Sequence, residues 1–472
     1  MSGLSILDNF FYPQSIAVIG ASSNLQKVGH VVLKNILFGG TSTSDKKEGF
    51  KGKVFPVNLR EKEILGLKTY KSVKEISDRI DVAVIVVPAK DVLKVTEECG
   101  QKGIGSVVII SAGFAESGKA GSSFQTELLS IAKQYGIRII GPNCLGIISS
   151  SENLNLTFAR VKPPAGPIAF ISQSGALGTA VIEYALEEYF GMSYFVSIGN
   201  KSDIDDSDLL EYFAEDSGTK CISLYLESVR DGRRFFNSMK SAAKKKPIVV
   251  LKAGITSAGA KAIASHTGSL AGADVAYDAA IRQSGALRAR TMYELFDASR
   301  ALAYQPPVKD GHGIAIVTNA GGPGVIAADD AYKHGLPLAT LTEQTIKLIT
   351  SVCPPTWSRQ NPIDIIGDAT PQRYRRVLNI VASAPEVGGI IIICSRQALT
   401  QIREIVDDMI ILSKSIKKPV TVSLVGIVAQ EEDRILDKNG IPVTEVPERA
   451  VEAMNALFLR GRYLDRLNKS GY

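Results

Sequence analysis

The sequence predicts an α/β protein built from three doubly wound parallel-sheet domains. Three observations predict it. Short runs rich in Val and Ile recur along the chain with helical stretches between them, and most of these runs lack the alternation of a half-exposed strand. The third observation is an opening used three times, an apolar strand leading into a turn of small residues. Strands without alternation are buried on both faces, as in a parallel sheet covered by helices. Strand and helix in turn give the doubly wound arrangement.

The runs fall at 15–20, 82–87, 106–110, 137–140, 167–171, 221–226, 247–251, 313–317 and 389–394. The three small-residue turns are Gly20-Ala21-Ser22, Ser172-Gln173-Ser174-Gly175 and Asn319-Ala320-Gly321-Gly322-Pro323-Gly324. Two stretches interrupt the pattern. Residues 149–167 are polar and then proline-rich, and 304–313 read Tyr-Gln-Pro-Pro-Val-Lys-Asp-Gly-His-Gly. Pro and Gly punctuate chains in this way. A chain of 472 residues also exceeds what one core supports, at roughly 100–200 residues per domain. The expected domains are therefore 1–150, 151–305 and 306–472.

With 45% hydrophobic and 22% charged residues, the composition is that of ordinary soluble globular material. A net charge of +6 gives no case for a nucleic-acid partner but suits a protein that handles anions. No apolar run approaches the ~20 residues that span a bilayer, so no membrane partner is expected. The first nine residues carry no basic, apolar signal segment. The cysteines, Cys99, Cys144, Cys221, Cys353 and Cys394, are widely spaced and form no CxxC pair. Neither zinc nor a disulfide framework is expected, and a reducing cytoplasm suits them. Lys244-Lys245-Lys246 reads as a solvated helix end.

In the first domain, Ile16-Ala-Val-Ile-Gly-Ala-Ser is a strand running into a tight turn, which offers backbone N–H groups and a helix start to a phosphate. The dinucleotide fingerprint needs glycine at three spaced positions; counted from Gly20 they hold Gly20, Ser22 and Leu25. The run 53–57 ends in Asn58, where an NAD enzyme carries a ribose-binding acid. The spacing thus argues against NAD. The remaining strand ends are also small or polar: Pro88-Ala89, Ser111-Ala112-Gly113-Phe114 and Gly141-Pro142-Asn143-Cys144. Ligands of open α/β sheets sit beyond such ends. A thioester cofactor with a nucleotide head and a long arm would fit the row; any single turn could equally be chosen for packing.

Here the strings Val18-Ile-Gly-Ala-Ser, Phe55-Pro-Val-Asn, Val87-Pro-Ala, Ser111-Ala-Gly-Phe-Ala-Glu and Gly141-Pro-Asn-Cys-Leu-Gly resemble the CoA-binding domain of the ADP-forming acetyl-CoA synthetase family, in the succinyl-CoA synthetase-like superfamily. The resemblance implies three Rossmann- or flavodoxin-like domains. It implies that CoA lies across Gly20, Ala21, Ser22, Lys27, Asn58, Pro88, Ala89, Ser111, Ala112, Gly113 and Asn143, with the nucleotide and diphosphate near Ser22, Lys27 and Asn58.

The second domain holds the one histidine with unusual surroundings. His30, His312 and His334 stand in undistinguished sequence and read as surface or satisfied histidines. His266 lies in the run Ile255-Thr-Ser-Ala-Gly-Ala-Lys-Ala-Ile-Ala-Ser-His-Thr-Gly-Ser-Leu-Ala-Gly, which is almost entirely Ala, Gly, Ser and Thr. That run reads as a loop without core anchors, suited to close backbone approach and movement. An imidazole there could attack phosphorus; composition alone leaves a structural loop equally open. Glu227 ends the run 221–226, where a carboxylate points toward the crevice and could hold a histidine's tautomer. A surface glutamate in an ion pair is the alternative. Ser172-Gln173-Ser174-Gly175 opens a helix and can cradle an anion. It lacks the first glycine of a Gly-x-Ser-x-Gly elbow, which argues against a serine hydrolase.

Ser265-His-Thr-Gly-Ser-Leu-Ala-Gly resembles the phosphohistidine loop of the same family. The resemblance implies His266 as the phosphorylated residue, Glu227 as its orienting partner, and Ser172, Gln173, Ser174, Gly175 and Gly268 as phosphate-binding. The segment from Ile198 to Asp205, Ile-Gly-Asn-Lys-Ser-Asp-Ile-Asp, is also family-like.

The third domain opens on Asn319 to Gly324, a turn for packing or for anion or acyl contact; it lacks the P-loop spacing. Asn361-Pro-Ile-Asp-Ile again resembles the family, so the likeness runs from about 4 to 464. No P-loop or ATP-grasp domain is read in the sequence. The resemblance therefore implies a separate ATP-grasp β subunit, in an α2β2 heterotetramer, that holds ADP or ATP and most of the Mg contacts. The implied substrates are a small organic acid, its acyl-CoA and CoA, with acetate, a branched-chain acid and an aryl acid all open. The rival expectations are a non-catalytic acyl-CoA-binding regulator and a nicotinamide dehydrogenase.

Overall fold

The computed structural model describes residues 6–40, 49–267, 273–309, 311–398, 400–426 and 430–469. The chain divides into two compact units, 1–246 with 250–284, and 247–249 with 285–472.

The first unit contains two sheets. The first is formed by β1 (Ser15–Ile19), β2 (Lys53–Val57), β3 (Val82–Ile85), β4 (Ser106–Ile109) and β5 (Arg138–Ile140), in the order β2-β1-β3-β4-β5 and parallel throughout. Every residue of β1, β3 and β4 is buried, because α1 (Val28–Phe38), α2 (Ala89–Lys102) and α3 (Lys119–Tyr135) alternate with the strands. This is why the runs are apolar without alternation. Ile19, Ile85, Val107 and Ile139 meet Val92, Cys99, Leu128 and Ala132 in one core.

The second sheet contains β6 (Ile147–Ser149), β7 (Leu154–Asn155), β8 (Ala165–Ser172), β9 (Met192–Ser197), β10 (Cys221–Leu226) and β11 (Ile248–Lys252), in the order β11-β10-β8-β9-β6-β7. β8 runs parallel to β9 and β10, whereas β6 is antiparallel to β9. The two sheets are joined through backbone. Asn200, Ser202 and Ile204 donate their N–H groups to Pro142, Gly141 and Ile139 at 2.9, 3.1 and 3.1 Å. Arg138 reinforces the join through Asp203 at 2.9 Å and Asp208 at 3.4 Å.

The second unit carries a parallel sheet of β12 (Gly313–Thr318), β13 (Ile363–Asp364), β14 (Val387–Ser395), β15 (Val420–Val425) and β16 (Val443–Thr444), in the order β13-β12-β14-β15-β16. Its core gathers Val317, Ile363, Ile390, Ile392, Val422 and Leu424 with helix residues such as Tyr374 and Met409.

One topology is used three times. In each sheet one parallel strand, β1, β8 or β12, lies between the two strands that follow it in the chain, so the chain order reverses beside it. Such a switch point opens a crevice at the carboxyl ends of the strands. The three small-residue turns read from the sequence follow β1, β8 and β12, and so stand at the three switch points.

Candidate active site

At the first switch point β1 turns through Gly20, whose φ is +95°. A Cβ there would lie 2.9 Å from the Val86 carbonyl oxygen, so a side chain is excluded by conformation and by space. Asn58, at the end of β2, wires the turn in place. Its Nδ2 donates to the Ala21 carbonyl at 2.7 Å, and its Oδ1 accepts the N–H groups of Arg60 and Glu61 at 2.7 and 2.9 Å. His30 is buried, with Nδ1 3.0 Å from the Ser22 carbonyl, and so is a satisfied structural histidine.

The turn is built to hold an anion, and in this structure a carboxylate of the chain supplies one. Both Glu61 oxygens lie 3.1 Å from the Ser23 nitrogen, and the Ser22 hydroxyl reaches Oε1 at 3.4 Å. The Ser23 hydroxyl first, and then these bonds, hold the Glu61 carboxyl below its ordinary value. No side chain caps the start of α1, which leaves N–H donors on the same side as the turn.

The ends of β4 and β5 are braced by Glu116. Its Oε1 accepts the N–H groups of Gly113 and Phe114 at 2.6 and 3.1 Å, and its Oε2 accepts the Asn200 amide. Burial opposes ionisation, yet the Asn200 amide and these N–H groups together keep the Glu116 carboxyl below its ordinary value. Asn143 donates from Nδ2 to Asn200 Oδ1 at 3.3 Å. Asn200 thereby links the turn after β4, the turn after β5 and the loop after β9.

At the second switch point Ser174 caps α4 (Gly175–Glu187), accepting the Leu177 N–H at 3.2 Å. Ser172 is fully buried; its hydroxyl is spent on the Ser174 backbone at 2.8 and 3.2 Å. It shapes the turn rather than facing the cleft. Gln173 bridges to β10, its Oε1 accepting the N–H groups of Glu227 and of Ser228, the latter at 2.9 Å. Glu227 is 7% exposed. It takes a hydrogen bond from the Tyr225 hydroxyl, whose pKa is pushed up to about 12 by burial and then by this carboxylate. Behind Ser228, Lys201 binds its carbonyl and Asp206 Oδ2, the latter at 2.6 Å.

These two switch points share one cleft of about 1430 Å³ within the first unit. Gly20, Ala21, Ser22, Lys27 and Asn58 line it at one side; Pro88, Ala89, Ser111, Ala112 and Asn143 follow; Gln173, Ser174 and Gly175 close the row. Ser172, Gly113 and Glu227 are not among the residues that line it. Lys27, Arg60, Lys71 and Lys94 place four cations on the wall beside Glu61, Asp91 and Glu98, a balance that favours an anionic ligand. Arg60 and Glu61 are lone polar residues outside any motif, whereas Glu116 and Asn200 fall inside the family-like strings 111–116 and 198–205, which the sequence marks without giving either side chain a role.

The stretch around His266 differs from the loop expected of it. Residues Ser257–Thr267 form a helix, α7, with His266 in its last turn. Ala258, Ala260, Ala262 and Ala264 explain this, since alanine is the strongest helix former and small residues are not by themselves loop residues. α7 lies against the Ala115–Ser117 turn that contains Glu116. The His266 side chain and Gly268 lie outside the described residues.

At the third switch point the first polar residue is spent on the sheet itself. Asn319 is buried, donating to the Ser395 carbonyl at 2.9 Å and accepting its N–H at 2.8 Å. Among the described residues, no helix is long and apolar enough to cross a membrane.

Comparison with known proteins identifies the family. Residues 14–150 match the CoA binding domain, 165–302 the succinyl-CoA ligase like flavodoxin domain, and 314–462 the ligase-CoA domain. The chain is 45% identical over 457 residues to the acetate–CoA ligase (ADP-forming) II subunit alpha of Pyrococcus furiosus, covering 96% of this chain and 97% of that one. It is 45% identical over 452 residues to the acetate–CoA ligase (ADP-forming) of Methanocaldococcus jannaschii, covering 95% of this chain but 62% of that one. It superposes on the acetyl-coenzyme A synthetase 1 of Ca. Korarchaeum cryptofilum, solved with phosphate and ADP, with a TM-score of 0.92 at 38% identity, over 98% of each chain. On this similarity the chain belongs to the alpha-subunit family of the ADP-forming acetate–CoA ligases.

Proposed function

We propose that this chain is the CoA-binding, phosphohistidine-carrying subunit of an ADP-forming acyl-CoA synthetase, converting a small acyl-CoA, ADP and phosphate into the free acid, ATP and CoA. One observation carries the reading. A single cleft joins the anion-holding turn of a nucleotide-type sheet to the capped Gln173-Ser174-Gly175 turn of a second sheet, so a long thioester can reach from one to the other. Built anion sites at both ends favour catalysis over a merely regulatory acyl-CoA site.

In the proposed cycle CoA rests on the turns at Gly20–Ser22, Asn58, Pro88 and Ser111, with its thioester toward Gln173–Gly175. A phosphate oxygen attacks the thioester carbonyl, the C–S bond breaks, and the thiolate leaves and takes up a proton. The resulting acyl phosphate gives its phosphoryl group to a ring nitrogen of His266; the P–O bond breaks and the carboxylate departs. Free N–H groups at the α4 start and the Ser174 hydroxyl stabilise the charge on phosphorus oxygens. Glu227 holds the other ring nitrogen and balances the positive charge of the phosphorylated ring. An oxygen of ADP then displaces the histidine, breaking the P–N bond and forming ATP. The nucleotide, with its magnesium, is assigned to an ATP-grasp β subunit in an α2β2 assembly. The greater length of the Methanocaldococcus relative fits a family in which this partner is sometimes fused. The five cysteines are all thiols, which suits a cytoplasmic setting.

The test is a half-reaction. Incubation with acetyl-CoA and labelled phosphate is expected to put acid-labile, base-stable phosphate on the chain. His266→Ala abolishes it, and Glu227→Gln slows it by roughly 10³-fold. CoA binding by calorimetry survives both changes. Label or ATP synthesis persisting in His266→Ala would overturn the mechanism.

A further inference from the structure

In the second unit, α10 (Gly321–His334) packs against α13 (Pro447–Lys469). Asp330 and His334 stand one helical turn apart on the same face of α10, and Glu452 of α13 meets them. One potential ligand atom from each residue lies within 4.8 Å of the other two. We propose that Asp330, His334 and Glu452 form a binding site for one divalent transition-metal ion of the zinc class, which staples α10 to α13.

The geometry already suits coordination. Asp330 Oδ2 and His334 Nε2 are 3.5 Å apart. A tetrahedral ion with ligands at ~2.1 Å has ligand-to-ligand edges of about 3.4 Å. The distance is long for a hydrogen bond and right for two atoms sharing a cation.

Asp330 supplies the independent observation. It is 7% exposed, and its Oδ2 has no hydrogen-bond donor. Lys333 Nζ lies 3.8 Å from the other oxygen, Oδ1. A buried carboxylate oxygen without a donor is costly to the fold and is the exception in native structures. A cation at the shared point would complete it.

Carboxylates also crowd the surroundings of the site. Burial, and then Glu294, Asp297 and Asp330, push the Glu452 carboxyl up to about 7, against Arg449. Burial raises the Asp330 carboxyl too, with Glu448 adding to it and His334 and Lys333 opposing. The Arg449 guanidinium is committed to Asp297, at 2.7 and 3.0 Å. A metal ion relieves the whole cluster.

The donor set selects the ion. One imidazole with two carboxylates favours zinc, cobalt or manganese over magnesium, which prefers oxygen alone. The His334 side chain is 34% exposed, which gives the ion access and leaves a position for water. α10 begins at the turn that contains Asn319, so a staple at its far end would steady the helix carrying that turn.

The experiment uses the full chain, stripped with chelator and then titrated with Zn²⁺ by calorimetry and with Co²⁺ by visible absorption. One ion per chain is expected, with a tetrahedral cobalt spectrum and a rise in melting temperature with zinc. His334→Gln and Glu452→Gln should each weaken binding by at least about tenfold, with circular dichroism confirming the fold. His334 is exposed, so its variant decides the matter even if Glu452→Gln misfolds. No saturable binding by the wild type, or unchanged affinity in His334→Gln, overturns the site.

Discussion

Glu116 shows how one carboxylate can set the shape of a binding turn. Its two oxygens gather the N–H groups of Gly113 and Phe114 and the amide of Asn200, so the strand ends at 111–114 and 141–144 share one anchor. Hydrogen bonds to an ionised carboxylate are roughly twice as strong as neutral ones. Glu116→Gln keeps the shape and removes the charge, and should weaken CoA binding by about tenfold. The pH dependence has a defined sign. The folded pKa of Glu116 is depressed, so the anchoring is fully present above the ordinary carboxyl value of about 4.3 and is lost as pH falls through the folded value. Titrations across this range should show wild-type affinity dropping in acid by more than that of Glu116→Gln. Equal acid losses in both proteins would remove Glu116 from the account.

At the scale of elements, Ser174 has two roles that substitutions can separate. It caps α4 through its hydroxyl and faces the cleft. Ser174→Ala removes the cap and should cost about 1 kcal/mol of stability. Ser174→Asp restores a capping oxygen but sets a negative charge against incoming phosphate, so denaturant melts should recover while phosphorylation of the chain stays lost. If the aspartate variant phosphorylates normally, Ser174 is only a cap. This element was readable in the sequence because strand, hydroxyl and glycine fall in a fixed order. All nine apolar runs likewise contain strands, since burial on both faces leaves a plain apolar signature. β9, Met-Ser-Tyr-Phe-Val-Ser, left a weaker one because serines interleave its apolar residues. α7 was misread as a loop because alanine carries helix propensity without an apolar stripe. Asp330, His334 and Glu452 were unreadable: only the packing of α10 on α13 brings them together.

At the scale of the molecule, the cleft belongs wholly to the first unit, where the two sheets are tied through the 200–204 backbone and Arg138. CoA bound there should stabilise that unit by mass action, by about 2.7 kcal/mol at a hundredfold excess over Kd. Hydrogen exchange can localise the effect, because amides report the opening free energy of their own cooperative segment. The turns at 20–23, 58–61, 111–116 and 173–175 should gain protection, together with the ends of β1, β3 and β8 that lead into them. The strands β12, β14 and β15 lie in the core of the second unit, and so serve as an internal reference expected to stay unchanged. Two outcomes would count against the assignment. Protection confined to β12 and β14 would move CoA to the switch point beside Asn319, and protection at 173–175 without 20–23 would leave the nucleotide end of the cleft empty.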